Sequence, residues 1–470
     1  MIHAFKNSGY NIIIDENSGA VHVVDEAAFE TACVLSKKAE DESSFHMDKD
    51  IPKDILVAVS KKCRDLSEEE IREAYSELFS LYEEKALFTE DTYKGAVDSF
   101  THHPTVVKAL CLHVAHDCNL NCRYCFAGQG EYHGARGLMD LDTGKKALDF
   151  VCENSGARKN IEIDFFGGEP LMNWEVVKEL VRYGRSIEEK NNKHFRFTLT
   201  TNGVLITDEV IEFCNKEMDN VVLSLDGRPE VHDRMRPFRG GQKSFDTISP
   251  NIKKFADSRE ALGKEYYVRG TYTRFNLDFS KDVLFLADQG FRQISVEPVV
   301  CDPSLEYAIR EEDIPVLCRE YDILAEEMKS RIGKDNEFNF YHFMIDLEGG
   351  PCVYKRLSGC GAGSEYLAVT PDGSLYPCHQ FAGETEFLLG NVRDGIDEKK
   401  QGLIEKFKSL NVYTKKECSR CFSRYYCSGG CAANAYHENH DITLPYETGC
   451  ALQRKRVECA IMLKAAKCGF

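Results

Sequence analysis

The chain has 470 residues, room for two or three domains, and its 59 Lys plus Arg against 77 Asp plus Glu give a formal charge of −18. Binding phosphates needs a dense basic face, so this acidic balance argues against nucleic acid as the main partner. No run of about twenty apolar residues could span a membrane. The start, MIHAFKNSGYNIII, also lacks the basic and apolar segments of a signal peptide, so a cytoplasmic protein without membrane contact is expected.

Residues 1–100 read as a separate module. The apolar runs 10–14 and 20–24 flank Glu16-Asn17-Ser18-Gly19 and predict a β-hairpin. Helical patterns follow at about 26–38 and 67–86. The second opens with Ser67 and Glu70 at capping-box spacing and sets Ile71, Leu78 and Leu81 on one face. A hairpin with helices resembles a small winged-helix module; a cap packed on the main domain is the plainer alternative. Thr101-His102-His103-Pro104 reads as a linker. From 105 to 330, apolar runs at 109–115, 161–166, 196–201, 220–225, 266–273 and 293–300 alternate with helical stretches at about 139–153, 173–190, 207–217, 245–260, 278–289 and 311–330. Six β/α repeats predict a parallel sheet, doubly wound or curled into an incomplete barrel, with the active loops after the strands. The stretch 335–470 is irregular and cysteine-rich, as where metal ligation replaces a hydrophobic core.

Twenty cysteines in a chain expected to stay reduced do not suggest disulfides. Cys33, Cys63, Cys111, Cys152, Cys214, Cys301, Cys318, Cys459 and Cys468 show no cluster spacing and read as packing residues. Cys118, Cys122 and Cys125 share one tight loop. A structural zinc site wants four protein ligands, and no fourth lies at the usual spacing, since His113 falls within an apolar strand. A four-iron cluster with three cysteine ligands and one open iron fits better. Cys118-x3-Cys122-x2-Cys125 followed by Phe126 resembles the radical S-adenosylmethionine (radical SAM) signature, and Gly167-Gly168-Glu169-Pro170 resembles that family's second signature. The resemblance covers about 105–330. It implies a partial (β/α)6 barrel whose reduced cluster cleaves S-adenosylmethionine to a 5′-deoxyadenosyl radical, which takes hydrogen from an unactivated carbon. It also implies Phe126 near the adenine and Gly167, Gly168 and Glu169 at the methionine, with Glu169 accepting from its ammonium. Ser224 and Arg236 would contact ribose and carboxylate; on the plainer reading they are a strand-end hydroxyl and a solvated arginine.

Cys418-x2-Cys421-x5-Cys427-x3-Cys431, with Cys450 beyond and Cys360-x12-Gly373-x4-Cys378 upstream, resembles the SPASM extension of radical SAM peptide maturases. That resemblance implies two auxiliary four-iron clusters, three clusters in all. Cys418, Cys421, Cys427 and Cys450 would hold the outer one, and Cys360, Cys378 and Cys431 the inner one. Cys352 would complete the inner cluster, or that cluster leaves an iron open for a substrate thiolate.

Together, a leader-binding module, a radical SAM barrel and a SPASM extension resemble the maturases that build thioethers in Cys-rich SCIFF peptides (sactipeptide and ranthipeptide synthases). The implied reaction joins Cys sulfur to a carbon of an acceptor residue, commonly Thr. The implied partners are a Cys-rich precursor bound through its leader and a low-potential electron donor such as flavodoxin or ferredoxin. Sulfatase-maturating enzymes are the alternative, but they carry Asp where this chain has His379. A non-catalytic zinc-scaffolded binding protein is the third reading, and it leaves Gly167-Gly168-Glu169 unexplained.

Overall fold

The computed structural model describes residues 1–41, 45–97, 106–132, 134–347 and 353–469. The Thr101–Pro104 linker and Cys352 lie outside the described residues.

The N-terminal sheet has three antiparallel strands, β1 (Ile2–Asn7), β2 (Tyr10–Asp15) and β3 (Val21–Val24). The hairpin β2–β3 matches the sequence pattern, whereas β1 is an addition. Its two-residue turn to β2 places Ser8 and Gly9 at positive φ, the backbone that a tight hairpin requires. Helices Glu26–Asp41, Lys53–Lys62 and Glu68–Glu83 follow. The last has the anticipated capping box: Glu70 N–H donates to Ser67 Oγ and Ser67 N–H to the Glu70 carboxylate. Ile2 and Ile13 pack on these helices, while Phe5, Ile12 and Ile14 on the opposite face join the main core. The segment thus has a core of its own and also caps the body of the protein.

All six strands of the repeat form. They are β4 (Ala109–His116), β6 (Asn160–Gly167), β7 (His194–Thr201), β8 (Asn220–Ser224), β9 (Glu265–Tyr272) and β10 (Gln293–Pro298), with a two-residue β5 (Gly137–Leu138) antiparallel to the end of β4. They are parallel and stand in sequence order, so every crossover winds the same way, as in a barrel; a doubly wound sheet would reverse order. Along β6, Ile161, Ile163 and Phe165 are fully buried in the core, so Glu162, Asp164 and Phe166 face the barrel interior.

Both edges of the open barrel are covered by later chain. A short β11 (Asn339–Phe340) pairs with β10, and β12 (Tyr366–Val369) pairs parallel with β4. From β12 the sheet continues antiparallel through β13 (Ser374–Tyr376), β14 (Gly390–Asn391) and β15 (Gly395–Ile396). The stretch after 335 is less irregular than its composition suggests. It ends in the 21-residue helix Glu447–Lys467, whose Leu452, Val457, Ile461 and Met462 enter the main core. Its apolar residues do not form one stripe because it is buried on several sides, which hid it from a periodicity search. Among the described residues no helix is long and apolar enough to cross a membrane.

Candidate active site

The loop after β4 carries Cys118, Cys122 and Cys125, and its backbone is pinned to the segment that carries Arg236. Asn121 N–H donates to Pro237 O at 2.8 Å and Arg123 N–H to Met235 O at 2.8 Å. The three thiols lie within electrostatic reach of one another. Burial pushes the Cys118 thiol up to about 11 and the Cys122 thiol to about 12, so iron must displace their protons on binding.

The loop after β6 fits against this one because it lacks side chains. Gly167 has φ +123°, and a Cβ there would strike the Ala115 carbonyl; at Gly168 it would strike the Asp117 carbonyl, next to Cys118. Glu169 is fully buried. Its carboxylate accepts from Leu171 N–H at 3.0 Å, Thr201 Oγ1 at 2.8 Å and Asn202 N–H at 2.7 Å, tying the loops after β6 and β7 together. Asn202 Nδ2 in turn donates to Asn119 Oδ1 at 2.7 Å, within the cysteine loop.

Arg236 is not the solvated arginine of the plainer reading. It is 8% exposed, donates to Tyr124 Oη at 2.9 Å and stands 3.8 Å from Asp226. Tyr124 donates to the Asp226 carboxylate at 2.7 Å, and burial lifts that carboxyl to about 6. Arg236 Nε is buried with no protein partner, a donor free for an anionic ligand beside Cys122. Ser224 is half-buried at the end of β8, and Phe126 is 42% exposed at the mouth.

The later cysteines form two neighbourhoods. Cys418, Cys421, Cys427 and Cys450 influence one another, as do Cys360, Cys378 and Cys431. Among the described residues no three His, Cys, Asp or Glu side chains converge on a point that would hold one metal ion. Thiolates around an iron–sulfur cluster each meet a different iron and need no such point. The cradle without Cβ atoms, the orphaned Arg236 Nε and this thiol spacing fit a cluster with a bound anionic cofactor.

Between the first loop and Cys378 a group of inward-facing side chains comes together that the sequence reading missed. The His379 ring stands 5.7 Å from Phe126 and 5.1 Å from Phe166, and its Nδ1 is 2.9 Å from Tyr366 Oη. Tyr366 also hydrogen-bonds Cys111, which is 1% exposed within a hydrophobic cluster, as the packing reading expects. Burial pushes the His379 imidazole down to about 4, so it is neutral at physiological pH. Asp164 faces the barrel interior with them. Its only sequence signal is a carboxylate on the inward face of an otherwise apolar strand.

Residues 112–259 match the radical SAM superfamily, and residues 360–422 match the iron–sulfur cluster-binding domain called SPASM. An uncharacterized protein of Methanocaldococcus jannaschii is 35% identical over 321 residues, 68% of this chain and 99% of that one. The radical SAM cyclopropyl synthase TigE of Paramaledivibacter caminithermalis is 22% identical, over 69% of this chain and 68% of its own. A cysteine-type anaerobic sulfatase-maturating enzyme of Clostridium perfringens is 24% identical, over 70% of this chain and 90% of its own. Among solved structures, anSMEcpe with bound AdoMet superposes with a TM-score of 0.63 at 21% identity, covering 77% of this chain and 100% of that one. Streptococcus suis SuiB bound to its precursor peptide SuiA gives 0.51 at 17% identity, covering 93% and 96%.

Proposed function

The chain belongs to the radical SAM superfamily and carries a SPASM domain, and from that premise we propose that it forms thioether crosslinks in a ribosomally made, Cys-rich precursor peptide. Each crosslink joins a Cys sulfur to a carbon of an acceptor residue such as Thr. The observation that carries this reading is the N-terminal segment, a three-stranded sheet with its own helical layer and β3 at its edge. An edge strand can take an extended leader peptide as a further strand through main-chain hydrogen bonds. The precursor-bound SuiB structure covers 93% of this chain and anSMEcpe 77%, a difference of 16% of the chain, about three quarters of that segment's length. In this reading residues 1–100 recognise the leader in a winged-helix-like manner, 105–330 perform the radical chemistry and 335–470 hold the auxiliary clusters.

The residue roles follow. Cys118, Cys122 and Cys125 hold the cluster that binds S-adenosylmethionine, with Phe126, Gly167, Gly168, Glu169, Ser224 and Arg236 around the cofactor. Cys418, Cys421, Cys427 and Cys450 hold the outer auxiliary cluster, and Cys360, Cys378 and Cys431 the inner. When bound, cluster and cofactor supply hydrogen-atom abstraction from an unactivated carbon. The chain's own residues hold the geometry. Tyr124 and Asp226 fix Arg236 where it can meet the cofactor carboxylate, and Glu169 locks two strand-end loops into one wall. His379, neutral and tethered by Tyr366, stands where sulfatase-maturating enzymes place an Asp, which disfavours the alternative of Cys or Ser oxidation in a sulfatase.

The test begins with iron and sulfide per chain after anaerobic reconstitution. About twelve irons falling to about eight in a Cys118/Cys122/Cys125→Ala variant supports three four-iron clusters. The loaded enzyme should then release 5′-deoxyadenosine and remove two hydrogens per crosslink from its precursor, leaving the Cys closed to alkylation. Zinc without iron overturns the radical reading. Loss of two hydrogens with the Cys still alkylatable replaces thioether formation with side-chain dehydrogenation.

A further inference from the structure

The barrel interior contains one carboxylate whose charge the protein leaves unanswered. Of the acidic side chains that face inward, Glu162 has Arg196 at 3.6 Å and Glu297 has Arg269 at 3.0 Å. Asp164 has no ion pair among the described residues; its hydrogen-bond partner is Thr198, beside it on β7. A carboxylate offers about four acceptor sites, and one hydroxyl fills one of them. Desolvating such a group without partners is costly.

Its position gives that cost a use. Asp164 lies two residues before Phe166 on β6, about 6.6 Å deeper into the barrel along the strand. Phe166, Phe126 and His379 form the ceiling above it, between the first cysteine loop and Cys378. Cys111 on β4 is its register partner, and Tyr366 on β12 closes the side. Asp164 is only partly buried, so a side chain entering the barrel from that end can reach it. The groups the structure places beside the carboxylate are Thr198, Cys111 and Tyr366, with Glu162 further down the same strand and no ion pair among the described residues, so what it lacks is a donor such as a hydroxyl.

We propose that Asp164 is the specificity-determining acceptor of the substrate, taking a hydrogen bond from the hydroxyl of the residue whose carbon is to be joined. The inference rests on the thioether reading for its choice of a Thr-like acceptor. It needs no redox step of its own, since Asp164 orients the side chain by binding it.

The test uses the iron-loaded, unreduced enzyme with S-adenosylmethionine and two synthetic peptides, GCGTG and GCGVG, which differ by hydroxyl against methyl. Calorimetry should show GCGTG binding about tenfold more tightly or better, the scale of a hydrogen bond to a charged acceptor. Asp164→Asn should bring the ratio close to one while iron content and cofactor affinity stay unchanged. Thr198→Val, which keeps the charge, should retain the preference. On the unmodified protein the ratio should fall as pH drops through about 6, the value to which burial lifts the Asp164 carboxyl. Of the groups facing it, Glu162 lies 3.6 Å from Arg196, burial keeps Cys111 and Tyr366 neutral throughout that range, and the His379 imidazole, pushed down to about 4 by burial, is neutral there too. A ratio near one in the unmodified protein, failure of both peptides to bind, or a ratio that survives Asp164→Asn overturns the proposal. The thioether reading fails separately: if the ratio behaves as stated but the precursor keeps its hydrogens, Asp164 is the hydroxyl site of a different radical reaction.

Discussion

Glu169 and Asp164 stand five residues apart, and burial raises both carboxyls, but against different numbers of donors. Glu169 is enclosed but has three donors, which work against the rise that desolvation causes. Asp164 has one, and its carboxyl is raised from 3.8 to about 6, chiefly by desolvation and next by Glu162. A folded-state value above the unfolded one means that the folded chain binds the proton more tightly. Stability is then gained as pH falls from about 6 toward 4 and lost as it rises through that window. At pH 7 the ionised carboxylate costs about 1–2 kcal/mol, allowing for solvent reaching it through the barrel. Asp164→Asn should therefore move the urea midpoint of the iron-loaded protein upward at pH 7, with the gain shrinking toward pH 4. A midpoint lowered at pH 7 would instead make the Asp164–Thr198 bond a structural support. Gain of stability with loss of hydroxyl preference is the pattern of a residue kept for binding. At this scale the sequence was legible where the grouped side chains are close in the chain, as in Cys118, Cys122 and Cys125, whose thiols do lie near one another. It was not where partners come from afar: Tyr124, Asp226 and Arg236 meet across about a hundred residues, and neither hydrogen bond between them has a local signal.

The six β/α repeats could be read from apolar runs because each strand is buried on its helix-facing side and carries its functional loop at the same end. The elements that escaped are those whose reason for forming is tertiary. β11 is two residues long and β12 four, and both exist because the open barrel has edges to cover. Between elements, the loops after β4 and β6 fit closely, and Gly168 is where that fit can be broken. A methyl group at Gly168 meets the Asp117 carbonyl, which is backbone and cannot swing aside as a flexible side chain would. Gly168→Ala should therefore displace the start of the cysteine loop. On the proposal of three four-iron clusters, the expected result is loss of about four of about twelve irons, with S-adenosylmethionine binding abolished and the SPASM irons retained. Full iron and unchanged cofactor affinity in that variant would show that the loop can move without harm.

Across the whole molecule, the segment proposed to bind the leader is joined to the loop proposed to bind the outer auxiliary cluster. The His3 ring stacks on Phe422 with centroids 3.6 Å apart and planes at 4°. Arg424 Nη1 lies 3.2 Å from the Glu16 carboxylate, with side chains only 4% and 8% exposed, and Asn17 accepts from the same guanidinium. Asp91 accepts from Tyr413 at 2.8 Å and from Tyr425 at 3.1 Å. Phe422, Arg424 and Tyr425 all fall between Cys421 and Cys427, so the conformation that presents those thiols is the one that holds β1 and β2. Filling the cluster should then stabilise the N-terminal sheet by simple linkage, because the ligand binds only the ordered loop. Amide exchange in β1 and β2 should slow on iron loading, and the effect should vanish in a Cys418/Cys421→Ala variant that keeps its other clusters. Arg424→Met should weaken the junction by about 3–5 kcal/mol, since it strands a buried Glu16 charge, and Glu16→Leu added to it should recover most of that loss. Equal exchange with and without iron would mean that the sheet is held by its apolar face alone. Leader recognition and the outer cluster would then be neighbours without energetic coupling.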